Sequence, residues 1–132
     1  MTSTVQVSTT MELAAGAAAI GFAGIAVFQL GLALGAPLGR AAWSGTIPGR
    51  LPARLRVGSL VAGLIWSFAV LVVLGRVGVG PLPAIAWLTW VFFGLLLLGT
   101  VMNLASSSPW ERYFWSPYAF VLAMLTLVAA SG

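Results

Sequence analysis

Four runs of about twenty apolar residues, nearly free of charge, constrain this chain more than any other feature, because that length crosses a bilayer as a helix. They lie at about 13–35, 57–75, 82–102 and 110–130, and together they leave no room for a second domain. The spacing predicts an all-α integral membrane protein, an antiparallel four-helix transmembrane bundle built as one domain over residues 1–132. Residues 1–11 (MTSTVQVSTTM) are polar and aperiodic, and are expected to form a short disordered tail. A cleavable signal peptide is the competing account of the first run, since Ala33-Leu34-Gly35 resembles a cleavage site. Such a peptide opens with positive charge, and none precedes Glu12.

Composition supports the membrane reading and removes most chemistry. The chain is 61% hydrophobic and 6% charged, against about 25% charged in soluble domains. Without Cys there is no thiolate nucleophile, disulfide or CxxC site, and without His there is no imidazole base or common metal ligand. The acids are Glu12 and Glu111 alone, so neither a metal nor another cofactor is expected. Arginine without lysine, beside abundant Ala and Gly, suggests a bacterial genome rich in GC.

Arginine also orients the chain. Arg40, Arg50, Arg54 and Arg56 fall between the first two spans and Arg112 falls at the start of the fourth, all on one side if the spans alternate. Arg76 falls on the other side. The positive-inside rule makes the five-arginine side cytoplasmic and puts both termini outside, with the bacterial plasma membrane as the expected location. Local signals sharpen the span ends. Pro52 suits the first position of the second helix. Ser108-Pro109-Trp110-Glu111 fits a capping box for the fourth, which leaves Pro117 inside that helix, where a kink is expected.

The polar residues of the spans crowd toward the arginine side. Gln29, Ser59, Asn103 and Glu111, with Arg54, Arg56 and Arg112 at the same level, form a candidate vestibule. In one reading it binds a lipid headgroup or another anion through arginine. In the other, Gln29 and Asn103 hydrogen-bond between helices while the arginines snorkel to phosphate. Glu111 is either an ion-pairing carboxylate, with Arg56 or Arg112, or simply the acid of the capping box. Mid-span charge, the usual sign of an ion or proton pathway, is absent.

Gly31, Gly35 and Gly39, and the pair Ser59 and Gly63, have spacings that let the first two helices approach closely. Trp43, Trp110, Trp115 and Tyr113 suit one membrane interface and Trp87 and Trp90 the other, whereas Trp66 falls near mid-span. No basic helix or stacking platform suggests nucleic acid.

GAPLGRAAWSG, LPARLRVGSLVAG and NLASSSPWERYFWSP resemble the loop motifs of a family of small four-span membrane proteins common in actinobacteria. The resemblance covers most of the chain past the tail. It implies the four-helix architecture and brings no catalytic or binding residues with it.

The expected function is therefore that of a non-enzymatic accessory or scaffold protein. Its expected partners are membrane lipids, among them anionic headgroups, and a larger membrane protein or a second copy of the chain. A homodimeric transporter or channel subunit is the alternative. A lipid-directed enzyme, with Glu111 as acid or base and Arg112 on a phosphate, has only that one carboxylate to work with.

Overall fold

A computed structural model describes residues 8–132. Four long helices account for most of them: α1 (Thr9–Ala33), α2 (Ala53–Gly75), α3 (Ala86–Leu104) and α4 (Ser116–Ser131), the last continuing from a π-helical turn at Glu111–Trp115. Two short 3₁₀ turns, Gly39–Ala41 and Trp43–Gly45, shape the α1–α2 loop. No strand occurs among the described residues. All four apolar segments are long enough to cross a membrane, at 25, 23, 19 and, with the π turn, 21 residues. At about 1.5 Å per residue, even α3 extends roughly 28 Å, close to the thickness of a hydrocarbon core.

The helix ends follow local chemistry more closely than hydropathy. Residues 1–7 of the expected tail lie outside the described residues. Helix α1 already begins at Thr9, because Ser8 caps it and its Oγ accepts from the Met11 amide at 3.1 Å. It ends in a Schellman motif: Gly35 takes φ +104, the Gly35 amide donates to Leu32 O at 3.1 Å, and Ala36 donates to Gly31 O at 3.0 Å. Helix α2 starts four residues before the expected 57. Pro52 is its N-cap rather than its first residue, its carbonyl accepting from the Leu55 and Arg56 amides. Helix α3 starts later than 82, since Pro81 and Pro83 hold the chain out of the helix until Ala86. The carbonyls of Leu82 and Pro83 instead pack over Gly75, where a Cβ would lie 2.8 Å from Pro83 O.

The fourth segment starts as the capping box predicts. The Glu111 amide donates to Ser108 Oγ at 3.4 Å, and the Arg112 amide donates to Ser108 O at 3.0 Å. Pro117 offers no amide, and the expected disturbance takes the form of the π turn just ahead of it, with the Ser116 amide reaching back to Glu111 O.

Helix α1 packs along α2 and against α4, α3 packs along α4, and α2 meets α3 only over a short stretch. Small residues set the close contacts: Ala15, Ala18 and Ala19 of α1 face Ala119 and Ala123 of α4 and Ala69 of α2 in one buried cluster. Phe22, fully buried, joins three helices, stacking on Trp66 at 5.7 Å and meeting Phe92 edge-on at 6.0 Å. Of the glycines expected to bring α1 and α2 together, Gly63 does so, seated directly on Leu30. Gly31 touches no neighbour, and Gly35 and Gly39 serve the loop instead.

The two ends of the molecule are tied differently. At one end the α3–α4 loop docks on the α1–α2 loop, with Ser108 Oγ donating to Arg40 O at 2.6 Å and Ser107 Oγ to Ser44 O at 3.2 Å. At the other, the Arg76 guanidinium donates to Ala130 O at 3.0 Å, joining the end of α2 to the end of α4. Between these ends the outer surface is apolar on every helix. Leu13, Ile20 and Val27 of α1 and Leu34 just past its end, each at least 70% exposed, lie along one stripe. Helices that are apolar all round belong inside a large protein core or in lipid.

Candidate polar cavity between the helices

A cavity of about 360 Å³ lies between the four helices at the end where the loops dock. Helical periodicity builds its walls. Ile25 and Gln29 on α1, Ala62 and Trp66 on α2, Leu95 and Gly99 on α3, and Glu111 and Trp115 in the π turn are all one turn apart. Tyr118 on α4 completes the wall below Trp115, and residues 41–44 of the α1–α2 loop roof it. Gly99 contributes space, since a Cβ there would find nothing within 4 Å.

The roof depends on unusual backbone. Trp43, Ser44 and Gly45 are consecutive residues with positive φ, at 50°, 64° and 69°, a conformation that costs L-residues energy and favours glycine. Trp43 is held there by its indole N–H, which donates to the fully buried Ser59 Oγ at 3.0 Å, and by Gly58, whose missing Cβ admits the ring. Ser59, a predicted site residue, is thus one step behind the cavity and positions its roof.

Gln29, Asn103 and Glu111 all line the cavity. Gln29 Oε1 is buried without a hydrogen-bond partner among the described residues. In an apolar setting an unmet amide oxygen is costly, and native structures contain few. Glu111 accepts a hydrogen bond from the Ser106 hydroxyl, whose own oxygen accepts from the Ser108 amide at 3.0 Å. The capping box is therefore closed through Ser106 rather than by direct contact between Glu111 and the Ser108 amide. The carboxylate also lies at the N-terminal end of the helical segment, where the peptide dipoles favour negative charge.

The predicted arginines do not join this group. Arg54 is exposed on the first turn of α2. Arg56 Nε donates to Ala33 O at 3.0 Å and so satisfies the end of α1. Arg112 is exposed and lies over the Tyr113 ring at 5.2 Å. An ion pair of Glu111 with Arg56 or Arg112 is replaced by these separate partners. None of the six arginines lines the cavity. The expected arginine-lined vestibule is instead a cavity with the arginines around its outside, Arg56 on the Ala33 carbonyl and Arg112 over the Tyr113 ring.

Sequence reasoning passed over Trp43, Trp115 and Tyr118 as cavity walls and Gly99 as its space. One signal was present for Tyr118. Gly21 and Gly24 on α1 make room for α4, and the Tyr118 hydroxyl donates to Gly21 O at 2.6 Å while occupying the space a Gly24 side chain would fill.

Compared with protein-family models, with curated proteins and with solved structures, the chain matches none.

Proposed function

We propose that this chain is an integral protein of a bacterial plasma membrane, an antiparallel four-helix bundle with both termini outside, that binds a small amphiphile or lipid portion without transforming it. The observation that carries the binding reading is the cavity itself: it is lined by all four helices and partly open, and a buried amide oxygen on its Gln29 wall has no donor among the described residues. Its volume falls in the lower part of the range of ligand sites, about 300–1,000 Å³. The short α2–α3 contact supplies a seam toward lipid, flanked by the exposed Leu95 and Met102 of the cavity wall. The arginines around the loop end suit anionic headgroups, at about 1 kcal/mol per basic residue near the surface.

Native mass spectrometry of the protein released from lipid nanodiscs tests this. A defined adduct that survives release supports the reading, and a bare chain from every lipid mixture removes it.

A second reading, a homodimeric transporter or channel subunit, draws on the outer face of α2, where Val57, Leu60, Val61, Leu64 and Phe68 are all exposed. A lipid covers such a face as well as a second copy does. Solute flux into proteoliposomes above that of empty liposomes favours transport, and no flux across ions, amines and organic anions ends it.

A further inference from the structure

Two of the four polar hydrogens on the cavity's aromatic walls are already used, the Trp43 indole N–H on Ser59 and the Tyr118 hydroxyl on Gly21 O. On the acceptor side, Gln29 Oε1 has no donor, and the Glu111 carboxylate accepts from Ser106. A carboxylate offers about four lone-pair sites, so further capacity remains on Glu111. It is the one formally charged residue of the lining, since every arginine lies outside. The rings of Phe28, Trp43, Trp66, Trp115 and Tyr118 form much of the wall. Aromatic faces attract cations, most strongly where water is excluded, and repel anions.

We propose that the occupant of this cavity is an organic ammonium ion carrying an apolar substituent, held by the Glu111 carboxylate, the Gln29 carbonyl oxygen and the aromatic walls. The proposal rests on the binding reading above and fixes the sign of the ligand's charge. The cavity takes the ammonium group and the first part of the apolar substituent, and the rest leaves through the α2–α3 seam. A free amphiphilic amine and the ethanolamine headgroup of a phospholipid share this chemistry.

The test uses the whole chain in neutral maltoside detergent, incubated with dodecyltrimethylammonium, with dodecyl sulfate or with neutral dodecanol, and read by native mass spectrometry. A parallel sample is released from nanodiscs containing both phosphatidylethanolamine and phosphatidylglycerol. The expected result is a stoichiometric ammonium adduct, or preferential retention of phosphatidylethanolamine. The first identifies a free amine as the source and the second a headgroup.

Glu111→Gln keeps an acceptor for Ser106 and is expected to weaken the adduct about tenfold or more, as loss of a charge-assisted contact does. Gly99→Leu, whose Cβ would meet nothing within 4 Å, is expected to abolish it while the helical content is retained. Arg112→Gln is expected to leave it unchanged. Dodecyl sulfate, dodecanol or phosphatidylglycerol retained as well as the ammonium probe, and lost in Gly99→Leu, overturns the charge assignment and leaves the binding reading standing. Undiminished ammonium binding by the folded Glu111→Gln protein overturns it too. No adduct with any probe removes both.

Discussion

The Ser108 hydroxyl donates to the carbonyl oxygen of Arg40 at 2.6 Å, across 68 positions of sequence. One buried side chain therefore does two things: it fastens the α3–α4 loop onto the α1–α2 loop and caps the segment that carries Glu111. The cavity roof and the cavity carboxylate are fixed to one another through it.

Ser108→Ala is expected to destabilise the protein by about 1–2 kcal/mol, since it removes an N-cap and leaves the Arg40 carbonyl without its donor. Ser107→Ala, at a more exposed bond of 3.2 Å, is expected to cost less than about 0.5 kcal/mol. Reversible unfolding in mixed micelles compares the two, and equal losses count against the role given to Ser108.

Ser59→Ala is expected to cost about 1–3 kcal/mol because it strands the Trp43 indole N–H. Adding Trp43→Phe removes the stranded donor, so the double variant should be less damaged than the sum of the single changes. A double-mutant cycle measures this. Strict additivity would mean that Ser59 and Trp43 act independently.

Glycine positions on α1 and α2 should respond in opposite directions. Gly63→Leu forces Leu30 away from α2 and is expected to cost about 1–3 kcal/mol. Gly31→Ala meets nothing and should stabilise by up to about 1 kcal/mol through helix propensity. The same unfolding assay reads both.

Gln29→Met keeps the side chain's length and removes the unpartnered oxygen. It is expected to raise stability by about 1 kcal/mol while weakening ligand retention. A loss of stability would show that Gln29 is satisfied in a way the buried oxygen does not suggest.

The chain contains no cysteine, so single cysteines report orientation directly. Under the proposed topology, Ser131→Cys reacts with a membrane-impermeant maleimide in intact cells and Ser107→Cys reacts only after lysis. The reverse pattern inverts the protein in the membrane.

The four apolar segments were legible in the sequence because hydropathy is a local property that sums along the chain. The start of the fourth was legible too, as a capping box is written in four adjacent residues. Helix ends set by Ser8 and by Pro81 and Pro83 moved the boundaries by several residues, because such local signals outweigh hydropathy where a segment begins. The cavity was only half legible. Gln29, Asn103 and Glu111 lie at one level along the helices, which sequence spacing gives. Whether a residue at that level faces a neighbour or turns away depends on how each helix is rotated and which helices touch. That rotation follows from Gly63 against Leu30 and from Phe22 between Trp66 and Phe92, contacts far apart in sequence. It was the tertiary structure that sent Arg56 to the end of α1, Arg112 onto Tyr113 and Trp43 over the cavity. Long side chains have several partners within reach, and only the packed fold decides which one is nearest.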